Sequence, residues 1–506
     1  MLERHENLGG ACVSEELQPG YTVSTASYVV SLLADEVVRD LELARHGYQV
    51  LARQPSSFTP WGEGQSLLLG ADQDENQRQI AAISPADAEA WPQYEAWLGR
   101  VAEQLEALLE GPAPGLLPLP AQWRRRSLGA QIKDLIAAWR LRGQLKALGS
   151  ELPEAMELLL GAARPMLERW FESDILRATL ASDAIIGAHA PPSAAGTGYV
   201  LLHHVMGRAG GARGVWGYVR GGMGTITQAM AATARERGAV LHAGAEVTRV
   251  LQHGGAVQGV ALADGRRFSA RRVLINATPA VAGRLLGATD LPAPYRDALD
   301  RIDYRSASAK INLALTGAPR FTVAPHVGDA GPMHRGTIHI CPNLAGIEQG
   351  WADAMGGRFS DRPIIEMTIP SAVDDSLAPA GAHVAQLFVQ YVPYGMSRSM
   401  PDVRERLLAA CIAAIETHAP GMGGLVGGAQ VLLPEDLESR FGLTGGNIFH
   451  GAMNLHQLFS LRPVPGWADH RTPIKGLYLC GAGCHPGGGV SGLPGRHAAA
   501  AVLADG

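Results

Sequence analysis

The stretch Gly476–Asp505, GLYLCGAGCHPGGGVSGLPGRHAAAAVLAD, decides the fold of this chain. Leu477 to Leu479 reads as a short apolar strand, followed by a glycine-crowded turn and an alanine-rich helix. Gly481, Gly483 and the run Gly487 to Gly489 remove side chains where a backbone must come close to a ligand. The helix behind them offers free N–H groups and the positive end of its dipole to an anionic group. The plainer alternative is a Gly-rich loop that merely packs a helix on a sheet.

The other end, MLERHENLGGACVSEE, supports a ligand. An acidic residue closing a strand, with Gly-Gly soon after, follows the G-x-G-x-x-G turn in dinucleotide-binding βαβ units, where the carboxylate accepts ribose hydroxyls. Glu3, Gly9 and Gly10 hold those positions. The turn itself is absent, since two residues precede Glu3 where the unit needs roughly twenty. The expected fold is α/β: an N-terminally truncated Rossmann-like domain, interleaved with an α+β substrate domain of mixed or antiparallel sheet. Either the start site is placed too late or half the nucleotide cradle is lost. A misplaced start is favoured, because deleting a central strand exposes a wide apolar edge.

Composition sets outer limits. With 506 residues, 46% hydrophobic and 18% charged, the chain buries a large core in two interleaved domains. A formal net charge of −5 gives no electrostatic case for nucleic acid. The five cysteines, at 12, 341, 411, 480 and 484, form no C-x-x-C pair, which points to a reducing compartment. No apolar run approaches the roughly eighteen residues of a membrane span, and the residues after Met1 are charged. The expected location is cytoplasmic, or the mitochondrial matrix if a targeting segment lies upstream.

Helical periodicity marks Ser84–Leu109 and Arg126–Leu148 as cover over a pocket. From Gly221-Gly222-Met223-Gly224 a helix is expected to Glu236, then strand Ala245–Leu251, a hairpin turned by Asp264-Gly265, and strand Arg272–Ala277. Alternation in Ile311, Leu313, Leu315 and in Ala385, Leu387, Val389, Tyr391 predicts a second, largely antiparallel sheet. A helix Met400–His418, with Val403, Leu407, Cys411 and Ile415 four apart, should cover it. The boundaries read as 1–75, 215–300 and 470–506 for the cofactor domain, and 76–214 and 301–469 for the substrate domain.

These segments carry a resemblance. LERHENLGGACVSEE, RQPSSFTPW (53–61), APPSAAGTGYVLLHHVMG (190–207), YVRGGMGTITQAM (218–230), FGLTGGNIFHGAMNLHQLFSLRP (441–463) and the C-terminal stretch are similar to phytoene-desaturase-like flavoproteins. Within these, the chain resembles the pyridine nucleotide-disulfide oxidoreductase domain-containing protein 2 branch, with carotenoid ketolases and desaturases as relatives. The resemblance implies FAD as cofactor and a dehydrogenase or desaturase activity that passes hydride from a small hydrophobic substrate, of polyene or isoprenoid type, to the flavin. It also implies that Glu3 meets the ribose, Arg4 flanks the adenosine, Gly9 and Gly10 pass the diphosphate, and the Val247 main chain meets the adenine. Gly481 and the Gly488–Gly489–Val490 segment then contact the diphosphate–ribityl region and the isoalloxazine edge.

Residues acting on substrate are harder to choose. His450, His485 and the pair His203-His204 lie in segments that the resemblance places around the pocket, with His450 and His485 the candidates for a catalytic role. Hydride passes to flavin itself, so position and a dry pocket suffice without a nucleophile. No spacing fits a zinc module, and no metal is expected. Cys12 has no nearby partner, which disfavours thiol–disulfide exchange. Arg124-Arg125-Arg126 ahead of an apolar helix suits peripheral contact with an anionic membrane. The rival reading is a flavin-free regulatory or protein-interaction protein that keeps the fold and binds a protein partner.

Overall fold

Alternation along 308–315 and 383–390 sets up the main sheet. The computed structural model describes all residues except 63, 114–127, 210–211, 214–215, 288–290, 307 and 327. The sheet has seven strands: β1 (Ser57–Trp61), β2 (Gln65–Leu69), β3 (Ser308–Leu315), β4 (Thr337–Ile340), β5 (Ile364–Thr368), β6 (His383–Gln390) and β7 (Val426–Leu432). They lie in the order β7-β3-β6-β5-β4-β1-β2, antiparallel throughout except where β4 meets β1.

One face of this sheet is apolar. Ile311 and Leu313 of β3, Ile365 and Met367 of β5, and Leu387 and Val389 of β6 share a core with Val403, Leu407, Cys411 and Ile415. Those four lie along helix Val403–Glu416, the expected stripe, and each aliphatic side chain so buried contributes roughly 1.5–3 kcal/mol. The other face is polar, and two of its cross-strand rows are tied to backbone carbonyls elsewhere in the chain. Asn312 stands opposite Gln386, and donates to the Thr25 carbonyl and to Gln430 Oε1, both at 3.0 Å. Gln386 donates to the Ser24 carbonyl at 2.9 Å. Two rows along, Ser308 donates to Gln390, which donates to the Ile185 carbonyl at 2.9 Å. These bonds dock the sheet onto the rest of the chain, since buried amides are costly unless paired.

The Rossmann-like half is built from parallel pairs. Strand Val273–Ile275 pairs with Leu477–Leu479, and Leu2 bridges His242. No backbone hydrogen bond among the described residues joins these two pairs, and the space between them opens onto a large cavity. A three-stranded antiparallel sheet, Val247–His253, Ala256–Leu262 and Arg267–Ser269, is turned at Gly254-Gly255 and at Asp264-Gly265. Helix Gly224–Glu236 starts where the glycines predict it. Ser24 and Ser14 hydroxyls accept from the N–H groups of Met223 (3.0 Å) and Gly224 (2.9 Å), occupying donors that a helix start leaves free. Helix Leu493–Ala504 follows Gly492, whose φ of +73° suits glycine.

Helices roof the cavity. Pro85–Glu110 is capped by Ser84, whose hydroxyl accepts from Asp87 N–H at 3.1 Å. Asp87 in turn accepts from the N–H groups of Glu172 (2.7 Å) and Ser173 (2.9 Å), fixing the start of helix Asp174–Asp183. Trp91, Tyr94, Trp97, Trp170 and Phe171 pack around that junction. The second expected cover helix runs Leu128–Ala147, while Arg124–Arg126 lie outside the described residues. No helix among the described residues is long and apolar enough to cross a membrane. One boundary needs correction. Residues 57–69, assigned to the cofactor domain up to residue 75, form β1 and β2 of the seven-stranded sheet, because Ser57 and Phe58 pair with Thr337 and Ile338 of β4.

Candidate active site

Between the two halves lies a cavity of ≈2330 Å³. Ordinary small-molecule sites span roughly 300–1,000 Å³, so this one has room for a cofactor and a substrate together. Glu3, Arg4, Gly9, Gly10, Val247, Gly488, Gly489 and Val490 all line it. Glu3 sits at the end of its short strand and accepts from the His5 N–H at 3.0 Å. Gly10 has φ +57°, and nothing stands within 4 Å of where its Cβ would be, so it presents bare backbone to open space. Gly9 has φ +135°, and a Cβ there would come within 2.7 Å of Thr227 Oγ1. Arg4 is otherwise engaged. It donates to the carbonyls of Ser439 (3.1 Å) and Arg440 (2.9 Å) at the end of helix Pro434–Phe441, where cations are favoured.

The closing segment is packed tightly against the wall. A Cβ at Gly488 would meet Phe449 at 2.6 Å, and one at Gly489, with φ +114°, would meet Leu32 at 2.4 Å. Val490 has φ +58°, a conformation that strains a β-branched residue and concentrates at functional sites. Gly481 does not line the cavity, although Cys480 and Ala482 do. Its place is fixed by packing, since a Cβ would come within 2.7 Å of Asn276 Oδ1.

The histidines divide. His450 faces the cavity with Nδ1 unpartnered, and burial pushes its pKa down to about 4, helped by Arg462. His203 and His204 also line the wall, pushed by burial to about 3 and about 4. His485 is not on the cavity. Its Nε2 pairs with the Gly111 carbonyl at 3.0 Å, its ring stacks on His497, and burial lowers its pKa to about 3. All four are neutral near pH 7 and poor proton acceptors, so the wall serves more to shape than to titrate. Burial raises the thiol pKa values of Cys12 and Cys480 to about 12. Such thiols do not form the thiolate that exchange chemistry needs. Among the described residues no three His, Cys, Asp or Glu side chains gather as a metal site.

The sequence reading missed a polar cluster on the cavity wall. Lys310 of β3 stands opposite Phe388 of β6, Phe388 opposite Glu366 of β5, and Glu366 opposite His339 of β4, one row across four strands. All four line the cavity. Helix Asp174–Asp183 ends above the row: Ser182 Oγ and His339 Nδ1 share a hydrogen bond at 2.9 Å, and Asp183 follows on the cavity wall. Tyr28 donates to Glu366 Oε2 at 3.3 Å, and Lys310 Nζ sits 5.0 Å above the Tyr28 ring. Arg53 donates to Thr337 Oγ1 (2.5 Å) and to the Trp216 carbonyl (3.2 Å). Burial raises the carboxyl pKa values of Glu366 and Asp183. The Asp183 carboxyl raises Glu366 further, while Arg53 opposes at both. Burial also holds Lys310 well below the usual ammonium range. The signal was there in SAKINLAL and IIEMT, where one charged residue interrupts an otherwise apolar or uncharged strand. Asp183 carries no comparable mark.

A Rossmann-like half, a glycine-rich closing segment and a mixed-sheet half around one large cavity define a dinucleotide-dependent oxidoreductase. The chain belongs to the flavin containing amine oxidoreductase family, which matches residues 78–345, and is an FAD-dependent oxidoreductase. It is 42% identical, over all of its length and 89% of the relative, to pyridine nucleotide-disulfide oxidoreductase domain-containing protein 2 of Rattus norvegicus. Hydroxyneurosporene desaturase of Cereibacter sphaeroides is 32% identical over 58% of this chain and 55% of its own. Among solved structures, cyclohexylamine oxidase from Brevibacterium oxydans superposes with a TM-score of 0.55 at 14% identity, covering 99% of this chain and 92% of that one, a likeness of fold.

Proposed function

We propose that this protein dehydrogenates a hydrophobic, isoprenoid-type substrate held in the ≈2330 Å³ cavity. The observation that carries the reading is the shared wall: the glycine segments and the β3–β6 row open onto one cavity, so a cofactor and a substrate meet there. The residues fit FAD. Glu3 and Val247 suit its adenosine end, the bare backbone at Gly9 and Gly10 its diphosphate, and Gly488 to Val490 its ring system. FAD supplies two-electron acceptance; the protein supplies position and exclusion of water. Tyr199, Phe449 and Met453 back the Gly487–Gly489 region with apolar surface, and a similar protein is named a desaturase of hydroxyneurosporene. The test is the visible spectrum of the purified protein, followed by anaerobic addition of candidate isoprenoids. Flavin bands that bleach with one of them support the reading, and a colourless protein that takes up no added FAD refutes it.

One further observation favours a surface-bound life. On helix Leu128–Ala147, Ile132, Leu135, Ile136 and Trp139 are exposed (52%, 72%, 47% and 75%) at i, i+3, i+4 and i+7. Arg140, Arg142 and Lys146 are exposed on the same helix. An apolar stripe with basic residues beside it suits the interface of an anionic membrane, from which a hydrophobic substrate would enter.

A further inference from the structure

We propose that the substrate carries an alcohol hydroxyl, and that Glu366 receives it at the Lys310–Phe388–Glu366–His339 row. This rests on the reading of the cavity as a hydrophobic-substrate site and names the polar group that such a substrate must bring. Glu366 is 4% exposed; Tyr28 occupies Oε2, and Oε1 has no partner although it is buried on the cavity wall. On the same sheet face the amide N–H groups of Asn312, Gln386 and Gln390 all reach backbone carbonyls. A pure hydrocarbon lying on the row leaves Oε1 without a partner, an unmade bond worth about tenfold or more in affinity.

The head group is neutral by charge balance. Asp183 and Glu366 bring two carboxyl groups to the cluster, and Arg53 and Lys310 bring two basic groups. An added cation or anion enters unmatched, whereas a hydroxyl bonds to Oε1 and adds no charge. Lys310 Nζ is already engaged, donating to Asn312 Oδ1 at 2.6 Å.

The test uses flavin-loaded protein and equilibrium dialysis of three probes of one shape: farnesol, farnesylamine and farnesene. Farnesol is expected to bind wild type about tenfold or more tightly than farnesene, the value of a hydrogen bond to a buried carboxyl group. Glu366→Leu should remove that preference while farnesene binds as well as before, and Glu366→Gln, which keeps an acceptor, should hold farnesol within about threefold of wild type. Equal binding of farnesol and farnesene to wild type overturns the proposal, as does a farnesol affinity that Glu366→Leu leaves unchanged. Farnesylamine binding more than tenfold tighter than farnesol overturns it in favour of a cation site. If none of the three binds, the hydrophobic-substrate reading itself fails, an outcome distinct from lost selectivity.

Discussion

The surroundings of Glu366 favour its neutral form, burial first among them. Its folded-state pKa lies above the unfolded value, so the native chain binds more protons, and stability falls as pH rises above the ordinary carboxylate range of about 4.3. Asp183, Arg53, Lys310, His339 and Tyr28 face it from the surrounding elements. Glu366→Leu should therefore raise Tm, by little at pH 5 and by more at pH 8; thermal unfolding across that range checks it, and a gain that shrinks with pH contradicts it. At the other side of the cavity Gly10 presents open space. Gly10→Asp sets a carboxylate beside the proposed diphosphate, and the expected result is folded protein that purifies without flavin bands, with an unchanged far-ultraviolet circular dichroism spectrum. The sequence made Glu3, Gly9 and Gly10 legible because their spacing is local. Glu366 and Asp183 lie far apart in the chain, and only the β4–β5 register and the end of helix Asp174–Asp183 bring them together.

Helix Val403–Glu416 was readable to within three residues at each end, because four buried side chains four apart leave little room for another reading. Leu407 is fully buried under the sheet, and Leu407→Ala is expected to cost about 2–5 kcal/mol by denaturant unfolding, whatever its effect on turnover. The strand β1 was not readable as part of that sheet. Pro60 interrupts it, and its partner β4 is nearly three hundred residues away, so neither alternation nor turn signals tie the two. Helix Leu128–Ala147 carries its own prediction. Trp139→Glu should abolish flotation with anionic vesicles that survives high salt, leaving the flavin spectrum unaltered; vesicle binding equal to wild type would remove the interface reading.

At the scale of the molecule, the chain crosses repeatedly between its halves, and the cavity is the seam they share. Closing glycines and alternating strands made this two-part architecture legible. The row of Lys310, Phe388, Glu366 and His339 was hidden because it exists only once four strands are in register. A ligand in the seam belongs to the folded state, so FAD at a hundred times its Kd should add about 2.7 kcal/mol of stability, seen as a concentration-dependent rise in Tm. Trp91 and Trp216 are set in the same wall, the second stacked on His204 at 5.5 Å. The protein therefore carries its own optical gauge: filling, emptying or exchanging the contents of the cavity alters indole emission, and occupancy can be followed in time without a label.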